Sequence, residues 1–321
     1  MPLTPEARSL LDMAYRVGAP RFQDLSVEQA RHSFQKLQFA FRPEPPAVSS
    51  VTEVPMARPD GSALLARLYR PRSAREAEVL PLLIFFHGGG WCVGDVTSYD
   101  SLCRSLANES GCAVLSVEYR LAPEHPFPAA INDARFAFEW AHEQAELLGI
   151  DADRIALGGD SAGGNLSIVT ALALRTAPVR PAYLMLVYPS TEMRSTRPSR
   201  ERYAEGFFLD RGTLQWFFER YLPGGETEDW RASPMRAESL AGLPPMLLIS
   251  AEFDPLVDDC AAFAERVRAE GGDIDYREIA GMVHGFLTLG KTFPQAGEAI
   301  ALAAAGLRQH LRPQAEGAPG G

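Results

Sequence analysis

Apolar residues recur along this chain at helical spacing, then at strand spacing, then in short continuous runs. Leu10, Leu11, Ala14 and Val17 follow Thr4-Pro5-Glu6, a capping hydroxyl with proline at the first helical position. Ala30, Phe34, Leu37 and Phe41 follow the capping-box pair Ser26 and Gln29, placing an aromatic stripe on a second helix. From Val51 the period shortens. Segments 51–56 and 63–69, separated by Pro59-Asp60-Gly61, predict an antiparallel hairpin. Runs at 80–86, 113–118, 154–158, 183–188, 245–250 and 274–279 then read as strands, several of them buried on both faces. Helical patterns at 98–109, 129–148, 165–174, 257–269 and 293–311 lie between and after them. This alternation predicts an α/β fold with a mostly parallel sheet covered by helices.

Two segments interrupt the alternation. Pro43, Pro45 and Pro46 form an extended linker, so 1–45 reads as an N-terminal helical cap segment or as helices whose stripe packs on the core. Residues 191–230 are rich in Arg, Glu and aromatics, with one helix expected at 211–221. An insertion at this point lies above the carboxyl ends of the strands and reads as a lid. The core is then 46–190 and 231–311, and 312–321 reads as a disordered tail.

Composition narrows the class. Across 321 residues, 46% hydrophobic and 22% charged describe a globular protein, and a net charge of −10 argues against nucleic acid or an anionic membrane as partner. No basic n-region with an apolar stretch and no long apolar run is present, so a cytoplasmic location is expected. The four cysteines, Cys92, Cys103, Cys112 and Cys260, have neither metal-ligand spacing nor the density of a disulfide framework. A reducing compartment follows, with a Cys92–Cys103 or Cys103–Cys112 bridge left open.

The chemistry centres on Gly159-Asp160-Ser161-Ala162-Gly163, between a strand and a helix. Such a turn lifts a serine hydroxyl clear of the sheet, though a plain glycine-rich turn has the same form. A nucleophile needs a base, and the base needs an acid. His284 lies in a glycine-flanked loop after the last strand, whereas His32 and His142 fall on helices and His310 near the end. Asp254 directly follows the 245–250 strand segment, and Asp258 and Asp259 read as helix-end charge. The order serine, aspartate, histidine is that of the α/β-hydrolase triad. His87-Gly88-Gly89-Gly90-Trp91, after another strand, offers unhindered backbone N–H groups for an oxyanion.

Together with residues 119–130, Asp254-Pro255-Leu256 and His284-Gly285-Phe286, these motifs resemble the hormone-sensitive-lipase-like (bacterial family IV) carboxylesterases of the α/β-hydrolase superfamily. The resemblance spans about residues 80 to 290 and implies Ser161 as nucleophile, Asp254 as acid and His284 as base. It implies oxyanion donors at Gly89, Gly90 and Ala162, with His87, Gly88, Gly159, Asp160 and Gly163 as supporting motif positions and Asp160 given no catalytic role. It further implies cis prolines among Pro123 and Pro128, a pairing of two copies by the 274–279 sheet edge, and no metal or cofactor. Short to medium acyl esters are the expected substrates, in a pocket of Trp91, Phe207, Phe208, Trp216 and Leu287. An amide or N-acetyl hydrolase, and a non-catalytic binder such as the plant gibberellin receptors, use the same fold and remain alternatives.

Overall fold

The sharpest turn signal closes as expected. Asp60 Oδ1 accepts from Ser62 N (2.9 Å), Gly61 adopts φ +84°, and the chain reverses from β1 (Ser50–Ala57) into β2 (Ala63–Arg70) with Ser50 paired to Arg70. A computed structural model describes residues 2–312, with the exception of Pro59 and Glu76. Of the expected tail, only Arg312 lies among the described residues.

Helices α1 (Pro5–Arg16) and α2 (Val27–Phe41) begin on the foreseen caps: Thr4 Oγ1 accepts from Ala7 N, and Ser26 with Gln29 forms a reciprocal capping box. Both rest on the core, through Ala7 and Leu10 for the first, with Leu3 just before it, and through Ala30, Phe34 and Leu37 for the second. After the proline linker and the β1–β2 hairpin come β3 (Leu80–Phe86), α3 (Asp100–Ser110), β4 (Ala113–Val117), α4 (Ala129–Glu143), α5 (Ala145–Leu148), β5 (Ile150–Asp160), α6 (Ala162–Leu174) and β6 (Tyr183–Val187). Then α7 (Pro198–Arg202), α8 (Arg211–Tyr221), β7 (Met246–Phe253), α9 (Val257–Ala269), β8 (Ile274–Val283) and α10 (Pro294–His310) complete the chain.

Among the described residues the strands form one eight-stranded sheet in the order β1-β2-β4-β3-β5-β6-β7-β8. β1 and β2 are antiparallel, and all strands from β4 to β8 run parallel. Alternation along β3 sends Leu82, Ile84 and Phe86 into one apolar layer and Leu83 and Phe85 into the other. The chain's direction of travel across the sheet reverses at β3, whose neighbours are β4 and β5. Phe86 is paired with Gly159, so the loops after β3 and β5 leave side by side at the switch point where α/β sheets hold ligands.

Three boundaries differ from the sequence expectation. The helix expected over 129–148 is two, broken at Gln144 (φ −103°, ψ 23°), and the second ends on left-handed Gly149, a break that buries Leu148 beneath the sheet while Leu147 faces water. β5 starts at Ile150 rather than 154, because a register irregularity absorbs the polar Asp151 and Asp153 between the Leu80–Ile150 and Leu82–Ile155 pairs. β8 runs on through Gly281, whose carbonyl accepts from Thr4 N (3.2 Å). In the 191–230 segment α7 was unforeseen, while α8 falls on the expected 211–221 with Asp210 as its cap. Both Ala122–Pro123 and Phe127–Pro128 are cis. All four cysteines are free and buried, so neither conceivable bridge forms.

One buried carboxylate ties the hairpin to the helical layer. Asp133 of α4, 1% exposed, accepts from Arg120 N (2.9 Å), from the Arg120 guanidinium (2.7 Å) and from Arg58. Asp133→Ala leaves that amide and two cations without their acceptor; since Arg120 is partly solvated, the expected loss of stability is about 2–3 kcal/mol, read as a lower denaturant midpoint.

Candidate active site

The turn between β5 and α6 is tight because nothing larger than hydrogen fits. A Cβ on Gly163 would stand 1.8 Å from the Phe86 carbonyl oxygen, and one on Gly159 would stand 2.3 Å from the same atom. Ser161 between them is held at φ +53°, ψ −113°, a conformation sparsely populated by side-chain-bearing residues. Its amide is anchored on Val187 O (2.9 Å), and Asn165 Nδ2 bridges Ser190 O (2.8 Å) and Ala232 O (3.0 Å) below the turn.

His284 arrives from the end of β8 and Asp254 from the end of β7. The imidazole Nε2 lies 2.9 Å from Ser161 Oγ, and Nδ1 lies 2.6 Å from Asp254 Oδ2. Asp254 is fully buried, and its other oxygen accepts from Leu256 N (2.8 Å). A buried acceptor-only carboxylate at Nδ1 places the proton there and leaves Nε2 free to accept from the serine hydroxyl. The three expected residues are therefore brought into one hydrogen-bonded line.

The loop after β3 faces this line. Gly89, Gly90 and Trp91 have φ of +115°, +56° and +60°, and a Cβ on Gly89 would stand 2.2 Å from Val93 O. Among the described residues no acceptor is paired with the amides of Gly89, Gly90 or Ala162. His87 does not touch the triad. Its ring stacks on Tyr119 with centroids 4.3 Å apart, and its Nδ1 is 2.7 Å from Gly88 O. Asp160 acquires a clear part: Oδ1 accepts from Gly88 N (2.8 Å) and Oδ2 from the Tyr99 hydroxyl (3.0 Å), bracing the glycine loop against the serine turn. Burial pushes its carboxyl above the usual carboxylate range, against the opposing pull of the Tyr99 hydroxyl and Gly88 amide.

Sequence reasoning missed two tyrosines. Tyr99 holds Asp160, and Tyr188 (φ +36°) sets its ring 4.5 Å from the His284 ring while its hydroxyl accepts from Leu287 N (3.4 Å). A single aromatic at the start of a helix or the end of a strand carries no sequence signal for either contact. Asp259, expected as helix-end charge, is instead fully buried, bonded to Arg200 (2.7 Å) and Arg197 (3.2 Å). Its neighbour Asp258 accepts from Ser199 N (2.7 Å), so α7 is fastened to the segment that carries Asp254.

The expected pocket residues do not form one cluster. Trp91 is buried flat against Tyr221 (4.4 Å, 3°), and Trp216 is buried between Phe22 (5.9 Å) and the Arg220 guanidinium (3.9 Å). Phe207, Phe208 and Leu287 belong to the apolar layer on the opposite face of the sheet, Phe207 stacking on Phe253 (6.0 Å). The side chain that closes on the glycine loop is Phe217, whose ring occupies the place a Cβ on Gly90 would take.

The alpha/beta hydrolase fold family matches over residues 83–288, which hold every member of this arrangement. The chain is 36% identical over 290 residues to an ethyl acetate hydrolase of Pseudomonas putida, covering 89% of this chain and 91% of that one. The chain belongs to the hormone-sensitive-lipase-like carboxylesterases. It is 38% identical to carboxylesterase NlhH of Mycobacterium tuberculosis over 250 residues, 76% of this chain and 78% of that one. The solved structure of ester-hydrolase EH1AB1, from the metagenome of Lake Arreo and complexed with a bipyridine phosphonate derivative, superposes with a TM-score of 0.92 at 41% identity, covering 96% of this chain and 99% of that one. The likeness therefore extends over the fold as a whole and not only over the motifs. Among the described residues no helix is long and apolar enough to cross a membrane.

The Asp160 brace has a pH signature. The folded protein holds the Asp160 proton more tightly than the unfolded chain does, so this group's contribution to stability declines as pH rises from about 4 through its folded value. Asp160→Asn is expected to remove that decline, which guanidinium unfolding of both proteins at stepped pH measures as a flatter profile for the variant.

Proposed function

We propose that the chain hydrolyses carboxylic esters through an acyl-enzyme on Ser161, with His284 as base and Asp254 as its orienting acid. The observation that carries this reading is the unbroken line Asp254–His284–Ser161, with bonds of 2.6 and 2.9 Å. Neutral His284 Nε2 takes the hydroxyl proton as Oγ forms a bond to the ester carbonyl carbon, and the carbonyl π pair moves onto oxygen. Three amides without internal acceptors, those of Gly89, Gly90 and Ala162, stand for that oxyanion, and the amino end of α6 adds its positive dipole. Buried Asp254 balances the imidazolium. Collapse breaks the bond to the leaving oxygen, which receives the proton from His284 and departs as alcohol. Water, deprotonated by His284, then attacks the acyl carbon, and Ser161 leaves with its proton restored as the carboxylic acid is released.

A bonded imidazole counts against a binding-only role. Ser161→Ala is expected to lower kcat on p-nitrophenyl butyrate by at least about 10⁴-fold, with the fold retained by circular dichroism. An organophosphonate should add its mass to Ser161 of the wild type and not to the variant. Full turnover by purified Ser161→Ala protein would overturn the assignment.

Short to medium acyl esters fit this reading, because Phe217 and its neighbours bring aromatic bulk directly onto the glycine loop. Relatives named for ethyl acetate and aryl esters support the same size class. In a chain-length series of p-nitrophenyl esters, kcat/KM is expected to peak between acetate and octanoate; a peak at palmitate would overturn it, and matched anilides should turn over far more slowly. A cytoplasmic setting, consistent with four free thiols, and a homodimer along the one-sided β8 edge belong to the same proposal. Sedimentation of the full chain tests the latter.

A further inference from the structure

Arg31, on α2, lies outside the residues that match the family, yet it grips the loop after β3. Its Nε donates to Cys92 O (2.9 Å) and one Nη to Ala122 O (3.1 Å), while both Nη atoms clamp Glu124 (2.9 and 2.6 Å). Ala122 N in turn donates to Trp91 O (2.8 Å), so the guanidinium holds two points of one folded segment.

The Cys92 carbonyl belongs to the same rigid peptide plane as Val93 N–H. That N–H donates to Gly89 O (3.0 Å), joined there by Cys92 N (3.1 Å). Gly89 C=O, in turn, shares its plane with Gly90 N–H, an amide without an internal acceptor. Two peptide planes linked by one hydrogen bond thus lead from Arg31 to the Gly90 donor. Gripping the first plane sets the tilt of the second, and a charged donor at one end polarises the chain. Phe217, seated on Gly90, limits movement from the other side.

We propose that Arg31 is a positioning residue for the Gly90 amide, so that the N-terminal helix takes part in oxyanion stabilisation without touching substrate. The proposal rests on the acyl-enzyme reading. A residue that only fastened α2 to the core would lower the melting temperature of its variants and leave kcat unchanged in folded protein.

The test compares wild type with Arg31→Met, Arg31→Lys and Glu124→Gln on p-nitrophenyl butyrate, at a temperature where circular dichroism shows each fully folded. Arg31→Met is expected to lower kcat about tenfold with KM within about twofold, since a displaced oxyanion donor acts on the transition state. A trifluoromethyl ketone, which forms an oxyanion with the serine, should lose affinity in parallel. Arg31→Lys should recover part of the rate, and Glu124→Gln, which keeps both carbonyl bonds, should stay within about twofold of wild type. If Arg31→Met does not fold, Arg31→Lys carries the test through its kcat and ketone affinity. A kcat and ketone affinity within about twofold of wild type in the folded Arg31 variant would overturn the proposal. Phosphonate labelling of wild-type Ser161 separates the failures: absence of labelling removes the acyl-enzyme reading, whereas labelled wild type with an unaffected Arg31 variant removes Arg31 alone.

Discussion

The contact on which the site depends is the bare approach of Gly159 and Gly163 to the carbonyl of Phe86. It presses the turn after β5 against the end of β3, so that the serine and the glycine loop occupy neighbouring strand ends. Every other element of the site meets this junction from outside. Asp160 spans it with a carboxylate, and the ends of β7 and β8 deliver Asp254 and His284. Preorganised donors are effective in catalysis because they need no rearrangement when charge develops, which under the proposed function is what a junction without slack would supply.

Much of this was legible because it depends on local rules. Helix caps at Thr4 and Ser26, the turn at Asp60-Gly61 and the apolar run of β3 are each decided within a few residues. The order serine, aspartate, histidine was legible because parallel strands deliver their loops to one edge of the sheet. Tyr99, Tyr188 and Asp259 were not, since their partners lie 61, 96 and 59 residues away for Asp160, His284 and Arg200 and nothing in their own neighbourhood marks them. The packing of the aromatics was less legible. An aromatic at helical spacing says which face is apolar and is silent on which apolar layer receives it, so Trp216 and Phe207 ended in different ones.

The two helices before the linker illustrate how a boundary drawn by composition differs from one drawn by contacts. Pro43 to Pro46 mark a change of local structure, but the linker carbonyls of Pro43, Pro46 and Ala47 are all bonded to α3, and Arg31 and Gln35 reach the loop after β3. The N-terminal segment is thus wedged into the same structure that the glycine loop belongs to, in mechanical terms a brace.

His284 follows β8, the last strand of the sheet, which has β7 on one side and, among the described residues, no strand on the other. In a single copy, a strand with one neighbour opens at lower free energy than one held on both sides. The imidazole that joins Ser161 to Asp254 therefore sits on the margin of the molecule's stability rather than at its centre, stapled there by Thr4 on Gly281 and by Tyr188 against its ring. Peeling of that margin would undo the hydrogen-bonded line while the hydrophobic core stayed intact, so under mild heat or denaturant the aligned state is a narrower ensemble than the folded one.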